Sequence, residues 1–138
     1  MNTLADATKA AARLPCQDLA RARAFYAEKL GLDPVDERPG GLLYRVAGCE
    51  FALFASTGEP SGTHTQMGFE VPDIEATVAE LGARGVVFEG PLVEVEGNYP
   101  SKRSSGERAT WFRDSEGNLL GVGELVSISG RAGNVPPT

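Results

Sequence analysis

The sequence predicts an α+β domain in which one strand–helix–strands unit is used twice. Three observations carry that prediction. A helix-like stretch opens at Cys16-Gln17-Asp18-Leu19 and closes at Leu30-Gly31, and a second opens at Glu70-Val71-Pro72-Asp73-Ile74 and closes at Arg84-Gly85. Each is followed by short apolar runs broken by glycine turns, the pattern of several short strands. Asp18 and Asp73 lie 55 residues apart, and the second unit gains its extra length mainly between residues 97 and 107.

Residues 1–9 read as a flexible N-terminal arm, and Ala11 to Pro15 as a first strand. Asp18 is a natural helix cap, because its carboxylate can accept from the unpaired N–H groups of the first turn. Leu19, Ala22, Tyr26 and Leu30 follow at spacings of three and four, which makes one apolar helical face. Gly31 supplies the left-handed stop. Strands are expected at 33–38, 42–47 and 50–55, separated by Pro39-Gly40-Gly41 and Gly48. The second unit repeats the scheme: a strand over 63–71, Asp73 as cap, a helix with Ile74, Val78 and Leu81 inward, and strands over 86–95, 108–113 and 118–126. Asp114-Ser115-Glu116-Gly117-Asn118 is a turn signal between the last two. The domain is thus read as residues 10–126, with module one at 10–57 and module two at 62–126, and a disordered tail at 127–138. Residues 97–107 are long for a strand connection, as a lid or a mobile loop would be.

A chain of 138 residues suits one domain that buries ~70% of its unfolded surface. Its formal charge of −6 argues against nucleic acid, whose phosphates reward clustered Lys and Arg, and is compatible with a cationic ligand. Residues 1–14 lack the apolar core of a secretory signal, and no apolar run nears the ~20 residues that span a bilayer, so no membrane role and a cytoplasmic setting are expected. Cys16 and Cys49 are expected to be reduced core thiols. No nucleophile elbow, phosphate loop or dinucleotide fingerprint is present.

The residues that stand out are polar or aromatic groups on predicted strands. His64 is the one histidine and could serve as a base or an orienting donor. Gln66 can both donate and accept. Tyr44, Phe51, Phe54, Tyr99 and Trp111 could form an aromatic cup for a flat ligand, with one of Phe51 and Phe54 turned into the core by strand alternation. Trp111 shares strand parity with Arg113, which places a cation at the rim. Lys102, Arg103 and Arg108 near the long loop could meet an anion, although solvated surface is the commoner fate of such charges.

Three segments, PCQDLARARAFYAEKLGL, MGFEVPDIEATVAELGARGV and ATWFRDSEGNLLGVGEL, occur in an order that resembles the vicinal oxygen chelate superfamily of glyoxalases, bleomycin resistance proteins and extradiol dioxygenases. The resemblance implies two tandem βαβββ modules forming a curved, partly open, barrel-like sheet with the helices outside. It also implies that four side chains, from the first and last strands of each module, hold a divalent metal in the metalloenzymes. Here those positions fall on Ala11, Ala52, Gln66 and Gly121. One amide among four positions is not a metal site.

The resemblance is therefore to the metal-free members, which bind a small organic molecule between two chains. The ligand-binding residues expected are Gln66, His64, Tyr44, Phe54, Trp111, Tyr99 and Arg113, in a homodimer with no cofactor and no assigned catalytic residue. The alternative is a lyase, isomerase or dioxygenase of the glyoxalase type. It would hold Ni, Zn, Mn or Fe through a slipped set of His64, Gln66 and Glu50, with Glu124 turned inward by a bulge.

Overall fold

The computed structural model describes residues 3–96 and 104–127. The expected duplication is present. Module one runs β1 (Ala12–Cys16), α1 (Leu19–Phe25), β2 (Asp36–Arg38), β3 (Gly41–Val46) and β4 (Cys49–Ala55). Module two runs β5 (Met67–Glu70), α2 (Ile74–Ala83), β6 (Val93–Val95), β7 (Ser104–Arg113) and β8 (Leu119–Ser127). The sheets are mixed and share one topology, β1-β4-β3-β2 and β5-β8-β7-β6, with the first and last strands of each module parallel. Neither sheet closes into a barrel within the chain.

The helix starts follow from the two aspartates. Asp18 and Asp73 are both extended caps whose carboxylates accept from the N–H three residues on, Arg21 and Ala76. α1 does not run α-helical to Leu30 as its spacing predicts: Tyr26–Leu30 is a π-helical turn, ended by Gly31 at φ 72°. The N-terminal segment is not wholly loose either. Leu4–Asp6 forms a single 3-10 turn capped by Thr3, and Lys9 pairs with Glu50. Residues 86–95 give only the short β6 and one bridge between Phe88 and Phe112, because Pro91 has no N–H with which to continue a ladder.

One core joins the modules. Leu14, Tyr26, Tyr44 and Leu53 of module one are contiguous with Ile74, Phe112, Leu120 and Val122 of module two. Phe51 and Phe69 meet edge to face across the junction, at 6.1 Å between ring centres. Of the cysteines, Cys16 lies in this core and burial pushes its thiol up to about 11, so it is inert. Cys49 is not in the core as expected; beside the Ala47-Gly48 turn it is exposed.

The turn between β7 and β8 fastens module two to α1. Tyr26 donates to Asp114 at 2.8 Å, and Asp114 also accepts from the backbone of Glu116 and Asn118. Asn118 reaches across to the carbonyl of Pro15. The side chain of Glu116, 1% exposed, accepts from the N–H groups of Gln17 and Asp18 and from the Arg21 guanidinium at 2.9–3.1 Å. A carboxylate on the first N–H groups of a helix also meets the positive end of its dipole.

Those hydrogen bonds, the Arg21 guanidinium foremost, hold Glu116 at about 2 rather than 4.5. A drop of that size, at ~1.4 kcal/mol per unit, is worth about 3 kcal/mol of stability. Because the folded value is the lower one, the contribution is complete above pH 4.5 and is lost as pH falls towards 2. Glu116→Gln is therefore expected to lower the unfolding free energy by ~2–3 kcal/mol at pH 7. Urea titrations across pH should show the gap to wild type closing below pH 4.5, whereas a gap constant down to pH 2 would contradict the assignment.

Candidate functional site

With one face of each sheet committed to the core, strand alternation leaves the other face bare. In module one the core face carries Leu14, Leu42, Tyr44, Phe51 and Leu53. The open face carries Arg13 on β1, Leu43 on β3, and Glu50, Ala52 and Phe54 on β4, with Arg13 and Leu43 directly flanking Ala52. A hollow of about 220 Å³ lies there, over Leu43, Ala52 and Phe54 and between Arg13 and Arg38.

In module two the core face carries Met67, Phe69, Phe112, Leu120 and Val122. The open face has a floor without side chains, since Gly68 pairs with Gly121 and Gly123 follows two residues on. Neighbouring residues of β7 fill that space. The Trp111 indole lies over Gly121, its Nε1 3.1 Å from where a Cβ would stand, and donates to Thr65 at 2.9 Å. The Glu107 carboxylate lies over Gly123 in the same way.

Five of the expected site residues fall into four groups. Phe54, 39% exposed, and Trp111 stand on open faces, one on each sheet. Gln66 immediately precedes β5, and its amide oxygen accepts from Leu119 N–H at 3.3 Å, which ties it to the sheet that it borders. Arg113 shares the Trp111 face but is spent on structure: it donates to the carbonyls of Gly62 and Gly117, with Glu89 3.8 Å away. Tyr99 and its neighbours Lys102 and Arg103 lie outside the described residues.

Two expectations need correction. Tyr44 is not a wall of the trough: it is 1% exposed on the core face, stacked on Phe51 with ring centres 5.1 Å apart. The residue directly opposite it on β4 is Phe51, so both aromatics share the inward parity. His64 is not on an inward strand, because β5 begins only at Met67, where pairing with Leu120 starts. It lies exposed in the preceding connection, 3.1 Å from the Ser61 hydroxyl.

The chelate positions do not fit a metal. Ala52 and Gly121 carry no donor atom, Ala11 precedes β1 and carries none, and the space above Gly121 is taken by an indole. The slipped set fails on direction. Glu124 faces the core side, where it accepts from the Ile74 N–H at the start of α2, and no bulge turns it inward. Glu50 is held by Lys9 and Arg45. Among the described residues, no three His, Cys, Asp or Glu side chains stand close enough together to hold an ion.

Sequence reasoning missed Arg13, Glu107 and Glu116. The alternation of β1, with Leu14 and Cys16 buried, was a signal for Arg13, whereas the long-range contact made by Glu116 leaves no local trace. A second groove, of about 530 Å³, lies between α2 and the π-helical turn that follows α1, with Leu30, Pro72, Ala76 and Leu81 in its lining. Its charges satisfy one another, Arg84 with Glu80 and Asp73 with its own helix, and it is set apart from the open faces. No described helix is long and apolar enough to cross a membrane.

The family described as the Glyoxalase/Bleomycin resistance protein/Dioxygenase superfamily matches residues 8–122. Among solved structures, a glyoxalase/bleomycin resistance protein/dioxygenase from Alicyclobacillus acidocaldarius superposes with a TM-score of 0.68 at 19% identity, over 87% of this chain and 92% of that one. A lactoylglutathione lyase from Agrobacterium tumefaciens gives 0.60 at 22% identity, over 83% and 90%. TnmS3, an antibiotic binding protein from Streptomyces, gives 0.60 at 26% identity, over 83% and 93%. No curated protein sequence matches the chain.

The contact between Trp111 and Gly121 is directly testable. Gly121→Glu, which would restore a carboxylate at a chelate position, forces the indole off its floor and costs ~1–3 kcal/mol by overpacking. The variant should lose stability and show red-shifted tryptophan emission as Trp111 leaves Thr65. Unchanged emission and stability would mean that the indole does not occupy this place.

Proposed function

The chain belongs to the Glyoxalase/Bleomycin resistance protein/Dioxygenase superfamily, and we propose that within it this protein binds a small organic molecule against its open sheet faces without a chelated metal. The observation that carries the reading is the state of the chelate positions. Ala52 and Gly121 offer no lone pair, and the Trp111 indole occupies the volume over Gly121. A site that has exchanged donor atoms for an aromatic surface binds by stacking and shape.

The pocket is completed by a second copy of the chain. Each open sheet face presents residues that a closed trough would cover, Phe54 and Leu43 on one and Trp111 on the other. Two chains related by a two-fold axis bring the module-one face of each against the module-two face of the other, which makes two equivalent troughs. The likeness to an antibiotic binding protein at 26% identity supports the same reading. The protein works in the cytoplasm as a binder that sequesters its ligand and leaves it chemically unchanged.

Trp111 is the one tryptophan, so its emission reports directly on the trough. A ligand found by thermal shift should alter that emission saturably, be recovered unchanged, and bind ~10-fold more weakly to Trp111→Leu. A stabilising ligand that leaves the emission and the Trp111→Leu affinity unchanged would place the pocket elsewhere, and conversion of the ligand to product would refute the binder reading.

A further inference from the structure

The chain is acidic as a whole, yet the open face of module one is not. Four cations, Lys9, Arg13, Arg38 and Arg45, stand on or reach onto it against two carboxylates, Asp36 and Glu50. Three of the four are compensated: Lys9 and Arg45 share Glu50, and Arg38 lies 3.1 Å from Asp36. Arg13 is not. Every other arginine among the described residues has a carboxylate oxygen within 3.8 Å, on module one, module two or across their junction. Among the described residues Arg13 has no such partner, and it stands on β1 beside Ala52, at the edge of the 220 Å³ hollow.

An arginine left unpaired over an apolar floor is an unfilled receptor. Its guanidinium presents a planar fork of donors that matches two oxygens of an anion, and the match strengthens where neighbouring groups exclude water. Here the neighbours are apolar: Leu43, Ala52 and the exposed ring of Phe54. We propose that this hollow takes an organic anion, its carboxylate, sulfonate or phosphate group held by Arg13 and its flat apolar body lying on Leu43, Ala52 and Phe54. The assignment rests on the trough-binding reading and narrows it to a ligand class. It also reverses what the net charge suggests, because this face sets four cations against two carboxylates although the chain carries −6.

The Asp36 carboxylate faces the same hollow and would repel an anion if it were free, but Arg38 neutralises it. Glu50, on the same strand face, is shared between Lys9 and Arg45. Neither carboxylate is left over for Arg13.

The test uses three probes of one shape: 2-naphthoate, neutral 2-naphthol and 2-naphthylmethylammonium. Each is titrated into the full chain at fixed ionic strength and followed by backbone amide shifts. Naphthoate should bind at least ~10-fold more tightly than either analogue, with shifts centred on Arg13, Leu43, Ala52 and Phe54. Arg13→Gln, a change of an exposed side chain, should lower naphthoate affinity ~10–100-fold and leave naphthol binding unaltered. Arg13→Lys should recover part of the loss, since it restores the charge without the fork.

If naphthol shifts the open-face residues but naphthoate gains nothing over it, the anion assignment falls and the trough reading stands. If none of the three perturbs the open faces, both fall. If Arg13→Gln weakens self-association in sedimentation equilibrium and leaves naphthoate affinity unchanged, the partner of Arg13 is a carboxylate of the second copy, and the assignment is overturned.

Discussion

The hydrogen-bonded turn at residues 114–118 is the constraint on which the other features depend. Three of its side chains cross from module two to module one: Asp114 to the Tyr26 hydroxyl, Glu116 to the start of α1, and Asn118 to the carbonyl of Pro15. All three are nearly buried. Buried polar groups of this kind are costly when they lose their partners, so moving module two off module one would strand the Tyr26–Asp114, Glu116 and Asn118–Pro15 contacts. The duplicated unit could in principle fold as two independent halves. The turn makes them one body with one core.

That placement decides which surfaces are free. Once the helix-facing sides of both sheets are used to build the core, the opposite faces are, among the described residues, the extended sheet surfaces left to carry function. The same alternation that sends Phe51 and Tyr44 inward sends Ala52, Phe54 and Arg13 outward, and on β7 it separates inward Phe112 from outward Trp111 and Arg113. Glu124 shows the rule from the other side. It is a carboxylate near a chelate position, but its parity assigns it to the N-terminus of α2, where it plays a part like that of Glu116 at α1. Carboxylates that elsewhere could have bound an ion are used here to terminate helices.

Much of the fold was readable from the chain because its signals are local. The Asp18 and Asp73 caps, the Gly31 stop and the 114–118 turn each satisfy backbone groups within a few residues, so their sequence alone announces them. Alternation also required that one of Phe51 and Phe54 be core and the other open, and the structure shows which. What escaped prediction depends on register or on distance. Tyr44 faces the core because β3 pairs with β4 so that it meets buried Phe51, and nothing local to β3 fixes that pairing. His64 was placed on a strand because the start of β5 is set by where its partner β8 begins. Glu116 looked like an ordinary turn residue, since its partners lie about a hundred residues earlier in the chain. Three of the four chelate positions, Ala11, Gln66 and Gly121, could by contrast be counted from Asp18, Asp73 and Asp114.

The proposed function rests on a trough that binds through an aromatic, side-chain-poor surface without chelation. The most direct measurement is calorimetric titration of Ni²⁺, Zn²⁺, Mn²⁺ and Fe²⁺ into chelator-treated protein, with Trp111 emission recorded in parallel. A trough without chelation gives no stoichiometric binding at micromolar concentration and no change in emission. One ion bound per trough, with a coincident change at Trp111, would contradict it.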